Sequence, residues 1–161
     1  MLTSRDLDLG RSAANALSDQ DLSAEAVHLE MTSLADIDAL AEYLKNTHGR
    51  VDVLINNAGI LIDGELNNPI GITDADVIRK TIEVNAIAPM MLIKALLPLM
   101  HRADFGRIIN ISSSMGQLSD MGGSNADRSP EQGIDTAVRL AISSDASQSG
   151  GFYRDRQIVD W

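Results

Sequence analysis

Short apolar runs alternate with helical patterns along this chain, and this alternation limits the fold more than any other feature. The run at 51–55, VDVLI, and the run at 106–111, GRIINI, are short and apolar, with Gly, Asn or Ser beside them. Runs of this kind are typical of strands buried on both faces of a parallel sheet. The sequence therefore predicts an α/β fold in which helices cover both faces of a parallel sheet.

The same periodicity analysis predicts the element order β-α-β-α-β-α-β, with a further helix after it. The elements are a strand stub at Leu2–Thr3, a helix at 7–19, a strand at 26–29, a helix from about Leu34 to Gly49, a strand at 51–55, a helix capped by Thr73–Asp74 that continues to about Met100, a strand at 106–111 and a helix opened by Pro130. A Gly- and Pro-rich loop is predicted at 63–71, and Pro89 and Pro98 are expected to kink the long helix or mark turns. One partial domain then spans 1–161, with a core part at 1–116, an irregular junction at 117–130 and a C-terminal helix and tail at 131–161.

Apolar residues recur at helical spacing on one face of each predicted helix, and that face is expected to be buried. These residues are Leu9, Ala13, Ala16 and Leu17 in the first helix, Leu34, Ile37, Ala41 and Leu44 in the second, and Ile134, Ala137, Val138 and Ala141 in the last. Asp36, Asp38 and Glu42 are expected on the solvated face of the second helix.

Composition and charge exclude several classes of protein. The chain has no cysteine, which rules out disulfides, thiolate zinc sites and Cys nucleophiles. Thirteen Lys and Arg against 23 Asp and Glu give a net charge of −10. Such a surface repels phosphate backbones and anionic membranes, so neither nucleic acid nor membrane is an expected partner. His28, His48 and His101 share no metal-like spacing, and no metal site is predicted.

The sequence also bears on location. The most apolar segment, 88–100, is interrupted by Lys94 and two prolines, so it is expected to be too short and too broken to span a bilayer. The first six residues contain no long apolar stretch of the kind a signal peptide needs. A cytoplasmic protein is expected.

Polar or small residues follow four predicted strands, and α/β sheets bind ligands at the carboxyl ends of their strands. These positions are Ser4–Arg5, Glu30, Asn56–Asn57 and 112–114. Taken separately, each also has a purely structural explanation, such as a helix-cap neighbour, an ordinary turn or a polar loop. Asn85, inside an apolar helix, is equally well explained as a core amide with its hydrogen bonds satisfied. The residue types alone leave both interpretations open.

Taken in order, three segments closely resemble the short-chain dehydrogenase/reductase family, and within it the carbonyl-reductase-like branch. They are VDVLINNAG at 51–59, IEVNAIAP at 82–89 and GRIINISSSMG at 106–116. The C-terminal GGFYRDRQIVDW also resembles the tails of bacterial and plant members. The resemblance covers essentially the whole chain. It implies a Rossmann-like, doubly wound parallel sheet that binds NAD(P).

The resemblance implies a role for nine residues. Asn85 matches the catalytic Asn, which holds a water for proton relay, and Ser113 matches the catalytic Ser, which orients the substrate carbonyl. The cofactor-binding matches are Asn57, Ala58 and Gly59 on the adenosine-ribose side, Glu30 and Met31 where the family has Asp-Val beside the adenine, and Ser4 and Arg5 where a basic residue pairs with the 2′-phosphate. An acidic residue at the Ser4–Arg5 position would have suggested NAD, so the resemblance favours NADP over NAD.

Two family features are missing from these 161 residues. There is no Thr-Gly-x-x-x-Gly-x-Gly loop, which places the pyrophosphate on a helix N-terminus, nor the strand before it. There is also no Tyr-x-x-x-Lys, because the residues four positions after Tyr43 and Tyr153 are Thr47 and Gln157. We therefore expect an incomplete Rossmann-like fold, truncated before the first residue and lacking a helix-strand unit near 120–123.

The function implied by the resemblance is NADP-dependent reduction of a small carbonyl compound, or oxidation of the corresponding alcohol, by hydride transfer. The family's Tyr is the general acid that protonates the carbonyl oxygen, so the chain as written is expected to be inactive or nearly so. Two alternatives stay open. One is a non-catalytic Rossmann-like module that binds a partner through the apolar helix 86–100, and the other is a gene fragment without a function of its own. The sequence determines neither the substrate nor the oligomeric state.

Overall fold

The computed structural model describes residues 1–60, 75–102, 105–112 and 129–159. The chain forms two compact units, one from Met1–Val51 with Ala58–Ala103, the other from Asp52–Asn57 with Asp104–Trp161. The strands are β1 (Leu2–Ser4), β2 (Ala26–His28), β3 (Val53–Asn56), β4 (Arg107–Asn110), β5 (Tyr153–Arg154) and β6 (Gln157–Ile158). The helices are α1 (Leu7–Ser18), α2 (Leu34–Thr47), α3 (Ala75–Ile82), α4 (Ala88–Met100) and α5 (Pro130–Ile142), with a π-helical turn at Glu83–Ile87 and a 3-10 turn at Ala146–Gln148. The predicted loop at 63–71, the cap at Thr73–Asp74 and most of the predicted junction lie outside the described residues.

In the first unit, β1 and β2 form a parallel pair, as predicted, in which Ser4 is the partner of His28. Helix α1 begins after Asp6, whose carboxylate accepts the backbone N–H groups of Asp8 and Leu9. This is a standard N-cap, which satisfies amides that the helix itself leaves unpaired.

The buried face of α1 differs from the predicted one. Gly10 and Ala14 are buried, whereas Leu9 is 68% exposed. A Cβ added at Gly10 would lie 3.1 Å from Ser4 Cβ and 3.3 Å from Ala26 Cβ. The helix lies so close to the strand pair that its fully buried positions are occupied by small residues, while Leu7 and Leu17 are half-buried beside them.

Helix α2 begins after Ser33, as predicted, because the Ser33 hydroxyl accepts the backbone N–H of Asp36 at 3.2 Å. After the C-cap His48, Gly49 adopts a φ of +74°, a left-handed conformation that glycine reaches at no steric cost. Its buried residues are Ile37, Leu40 and Leu44. Leu34, predicted on the same face, is 62% exposed because it lies at the first helical position.

A hydrogen-bonded cluster joins the start of β2 to the end of α2. The Tyr43 hydroxyl donates to Glu25 Oε2 at 2.8 Å, and His48 Nε2 lies 3.0 Å from Glu25 Oε1. The His48 contact, followed by the Tyr43 hydrogen bond, lowers the pKa of Glu25, and the Glu25 carboxylate raises the pKa of Tyr43. The cluster lies at the opposite end of β2 from His28 and Glu30.

Residues 75–100 form one helical stretch through α3, the π-helical turn and α4. The expectation that this segment is too short and too broken to span a bilayer is wrong, because the helical stretch continues through Pro89, the second residue of α4, and through Pro98. Within the described residues this is the one stretch long and apolar enough to cross a membrane. Its buried residues are Ala88, Pro89, Leu92, Leu96, Leu99 and Met100, and α4 packs against α2. Much of its apolarity therefore serves the core of the first unit.

In the second unit, β3 and β4 are paired in parallel, with Val53 opposite Arg107 and Asn56 opposite Asn110. Helix α5 packs against β4 through Ala137 and Ala141, which form a small core with Ile109. Ile134 and Val138, predicted on this face, are 54% and 46% exposed. The predicted burial of Ala137 and Ala141 is confirmed, and Leu140 is partly buried against the same core.

The C-terminal hairpin pairs β5 with β6 in the antiparallel sense. Its turn residues, Asp155 and Arg156, adopt φ values of +53° and +65°. The Arg156 guanidinium donates to both oxygens of the Asp135 carboxylate in a bidentate ion pair. The backbone N–H of Arg156 donates to the Thr136 hydroxyl at 3.0 Å. These contacts fasten the hairpin to α5.

Candidate functional site

The carboxyl ends of β1 and β2 lie side by side in the first unit. The backbone N–H of Leu29 donates to the Ser4 carbonyl at 3.0 Å, one residue beyond the last strand pair. Leu29 is buried, with 3% of its surface exposed. The predicted cofactor residues therefore lie at the carboxyl ends of these two paired strands or just after them. They are Ser4, Arg5, Glu30 and Met31.

Ser4 and Arg5 connect β1 to α1. The Ser4 hydroxyl oxygen accepts the backbone N–H of Asp6 at 3.2 Å, which leaves its own hydrogen available to donate. Arg5 is exposed, and its side chain has no hydrogen bond or ion pair within the described residues. An exposed guanidinium beside a hydroxyl donor has the chemistry that a phosphate requires.

The Glu30 turn, residues 30–33, connects β2 to α2. It is closed by the Ser33 backbone N–H, which donates to the Glu30 carbonyl at 2.9 Å. Glu30 Oε1 accepts from both the backbone N–H and the hydroxyl of Thr32, at 3.3 and 3.1 Å. Oε2 makes no hydrogen bond within the described residues and is the oxygen that could receive a ligand. Met31 is half-buried at the tip of the turn.

Asp36 holds this turn against α2, which the sequence analysis missed. Its Oδ2 accepts the Glu30 backbone N–H at 2.9 Å and lies 3.1 Å from His28 Nδ1, and its Oδ1 accepts the Ser33 hydroxyl at 2.8 Å. The Glu30 N–H, followed by the Ser33 hydroxyl, lowers the pKa of Asp36. The expected solvated position is wrong for Asp36, which is only 25% exposed. The Ser-x-x-Asp spacing of 33–36, which resembles a capping box, was the available signal.

Asn85 lies in the π-helical turn, and its side-chain amide binds the backbone of Ile60. Oδ1 accepts the Ile60 N–H at 2.8 Å, and Nδ2 donates to the Ile60 carbonyl at 2.8 Å. Both ends of the amide are therefore used to hold the segment after Asn-Ala-Gly. Pro89, four residues on, has no N–H to offer to the Asn85 backbone carbonyl.

The remaining predicted residues divide between the two units. Ala58 and Gly59 belong to the first unit with Asn85, and both are exposed. Asn57 belongs to the second unit and is exposed, whereas its neighbour Asn56 is 7% exposed and donates to Asn110 Oδ1 at 2.8 Å. Ser113 lies outside the described residues. Within the part of the chain that the structure describes, no group of three or more His, Asp or Glu side chains is placed to hold a metal ion.

Comparison with known proteins identifies the family of the chain. Residues 1–125 match the family model described as short chain dehydrogenase. The chain belongs to the short chain dehydrogenase family. A (+)-neomenthol dehydrogenase of this family from Arabidopsis thaliana is 34% identical over 149 residues, covering 75% of this chain and 47% of that protein. The chain thus spans about half the length of the curated relatives it matches.

Solved structures of similar proteins show the same fold. A metagenomic short-chain oxidoreductase in complex with NADP is 34% identical with a TM-score of 0.64, covering 74% of this chain and 52% of that one. RhlG from Pseudomonas aeruginosa, in an NADP active-site complex, is 29% identical with a TM-score of 0.62, covering 75% and 46%. The predicted incomplete Rossmann-like fold is confirmed.

Proposed function

We propose that this chain carries part of the cofactor and substrate site of an NADP-dependent carbonyl reductase. The reaction is hydride transfer between NADPH and a small ketone or aldehyde, or the reverse with an alcohol, in the cytoplasm. When bound, NADPH supplies the hydride. The net charge of −10 disfavours nucleic acid and anionic membrane as partners.

The observation that carries the cofactor assignment is the pair Ser4–Arg5 at the carboxyl end of β1. A hydroxyl donor and an exposed guanidinium stand together there, next to the end of β2. In dinucleotide-binding folds, Arg in this region accommodates a 2′-phosphate, whereas an Asp or Glu binds the ribose 2′-hydroxyl of NAD. Arg5 and Ser4 would hold the 2′-phosphate, and the Glu30 turn would receive the adenine.

We assign Asn85 a role in proton relay through its backbone rather than its side chain. The side-chain amide binds both the N–H and the carbonyl of Ile60. The backbone carbonyl faces no N–H at position 89, because that residue is proline, and it is free of this standard helical partner. A water that relays a proton would therefore bind the Asn85 carbonyl, and the side chain would fix the position of the turn.

Ser113 would orient the substrate carbonyl but cannot protonate it. The general acid of such a reaction is a positioned Tyr with a Lys that tunes its pKa, and these 161 residues contain no Tyr-x-x-x-Lys. A missing general acid costs about 10²–10⁴ in rate. We propose that the chain as written neither binds NADPH at micromolar concentration nor oxidises it above background.

The test compares four proteins in an NADPH oxidation assay with carbonyl substrates. They are this chain and a chimera that gains a Gly-rich loop and a Tyr-x-x-x-Lys segment of the family pattern, each with and without Ser113→Ala. The chimera should reduce carbonyls and lose that activity with Ser113→Ala, while this chain is inactive in both forms. Turnover by this chain that Ser113→Ala abolishes would refute the need for the missing segments.

The cofactor assignment has its own test in the chimera. Arg5→Ala should lower the ratio of kcat/KM for NADPH to kcat/KM for NADH by about fivefold, the effect of one exposed charge contact of about 1 kcal/mol. Arg11→Ala is the matched control, because Arg11 is also exposed but its partner is Asp8 on the same helix. An unchanged ratio in Arg5→Ala would refute the assignment of Arg5 to the 2′-phosphate.

A non-catalytic interaction module is the second candidate, favoured by apolar residues exposed on and just before α4. Ile87, Met90 and Leu97 are 40%, 62% and 38% exposed. Contiguous exposed apolar patches are found at protein–protein contacts more often than on the rest of a protein surface. This candidate predicts that Met90→Glu abolishes association of the chain with its protein partner. NADPH oxidation by the chimera should be unaffected by the same substitution. Analytical ultracentrifugation measures the association.

A further inference from the structure

The Asp36 carboxylate connects the Glu30 turn to its neighbours through side-chain contacts. Asp36 is the acceptor for the Glu30 backbone N–H at 2.9 Å and for the Ser33 hydroxyl at 2.8 Å, and it lies 3.1 Å from His28 Nδ1. These three partners come from the turn itself, from the cap of α2 and from the last residue of β2. A single side chain thus connects the turn to a helix and to a strand.

Asp36 lies in helix α2, which is packed into the core of the first unit. Its neighbour in α2, Ile37, is 2% exposed, and Leu40 one turn later is 3% exposed. On the other side, Leu29 fixes the end of β2 to β1 through its hydrogen bond to the Ser4 carbonyl. The turn is therefore held between two buried anchors, and Asp36 is the polar link to the second of them.

We propose that Asp36 is a positioning residue for adenine recognition, which holds the Glu30 turn in the arrangement that presents Glu30 and Met31 to the base. The proposal rests on the proposed function, which places the adenine at this turn. Asp36 touches no part of the ligand. It acts through the backbone of Glu30, whose N–H would otherwise lack an acceptor.

The size of the effect follows from how often the turn is correctly formed. A ligand that binds one conformation has its apparent Kd divided by the fraction of the protein in that conformation. If removal of the carboxylate leaves the turn formed about one tenth of the time, the Kd rises about tenfold.

Asp36→Asn retains an oxygen for the Glu30 N–H and an N–H₂ group for the Ser33 oxygen. Since bonds to a neutral acceptor are about half as strong, its Kd should stay within about threefold of the unmodified value.

The experiment uses the full 161-residue chain, labelled with ¹⁵N, and two measurements by NMR. Hydrogen exchange at the Glu30 amide, without ligand, reports whether the turn is held. Titration with adenosine 2′,5′-bisphosphate to millimolar concentration gives a Kd from the shifts of the Glu30 and Met31 amides. The variants are Asp36→Ala, Asp36→Asn and the matched control Asp38→Ala, which removes the same charge from an exposed position of α2.

The expected result is faster exchange at Glu30 and a Kd about tenfold higher in Asp36→Ala, substantial rescue in Asp36→Asn, and no change in Asp38→Ala. Unchanged Glu30 exchange in Asp36→Ala would overturn the structural link. Faster exchange with an unchanged Kd would overturn the positioning role but leave the nucleotide site intact. If the bisphosphate shifts neither amide in the unmodified chain, both the adenine site of the proposed function and this role for Asp36 are overturned.

Discussion

Replacing Gly10 with Ala should destabilise the first unit, although Gly→Ala in a helix is ordinarily stabilising. Gly10 is buried in α1 against β1 and β2. The added Cβ would lie 3.1 Å from Ser4 Cβ and 3.3 Å from Ala26 Cβ. Both neighbouring atoms are fixed to strand backbones, so neither can move aside by a side-chain rotation.

Two opposing terms set the magnitude. Ala gains about 0.8–1.0 kcal/mol over Gly in helix propensity. Overpacking a tight interface costs about 1–3 kcal/mol, because the helix must shift away from the strands. The net expectation is a loss of about 1 kcal/mol of unfolding free energy. Gly133 in α5 is the matched control, since a Cβ there meets nothing within 4 Å. Gly133→Ala should therefore stabilise by about 0.5–1 kcal/mol.

The assay is urea unfolding of the three proteins, followed by circular dichroism. With an m-value of about 2 kcal/mol/M, Gly10→Ala should lower the midpoint by about 0.5 M and Gly133→Ala should raise it slightly. Hydrogen exchange at the Leu29 amide, which is bonded to the Ser4 carbonyl, gives a local measure and should accelerate in Gly10→Ala alone. Stabilisation by both substitutions would refute the reasoning that close helix–strand contact dictates Gly10.

Two further predictions concern single side chains. Asn85→Ala should speed hydrogen exchange at the Ile60 amide by about tenfold, because that N–H loses its acceptor at a cost of about 1–2 kcal/mol; Asn85→Asp, which keeps an acceptor oxygen, should speed it less. The pKa of Glu25 is lowered by its contacts with His48 and Tyr43, so its contribution to stability is present above the ordinary pKa of 4.5 and is lost as the pH falls through the lower folded value. The unmodified chain should accordingly exceed Glu25→Gln in stability at about pH 5.5, and this difference should shrink as the pH falls below 4.5; a difference that does not shrink would contradict this.

Much of the local structure could be predicted from sequence because it depends on neighbours along the chain. The strand at β4 follows from a short apolar run, and the start of α2 from a Ser that caps the next turn. The end of α2 at Gly49 follows from the conformational freedom of glycine. The motif order around Asn85 sufficed to place the chain in its family.

The functional details were harder to predict because they depend on contacts between segments. The functional role of Asn85 stays a prediction, and its partner Ile60 lies 25 residues away and carries no polar side chain that would signal the contact. Helical periodicity predicts a solvated Asp36 because it shows which face a residue is on, but not what lies beyond the helix N-terminus. Only the return of the chain after β2 brings the Glu30 N–H within 2.9 Å of it.

The alternation of strands and helices, the start of α2 and the family all follow from the sequence alone. Tertiary structure decided which helix faces are buried. In α1 the periodicity placed Leu9 inside, yet the structure buries Gly10 and Ala14 instead. In α5 only the two alanines of the predicted face, Ala137 and Ala141, are buried, whereas Ile134 is exposed. Hydrophobic periodicity weights each residue by its own apolar surface, whereas the buried face is selected by the distance between a helix and the strands it covers. When that distance is short, steric exclusion outweighs the gain from burying a large side chain, and the smallest residues turn inward.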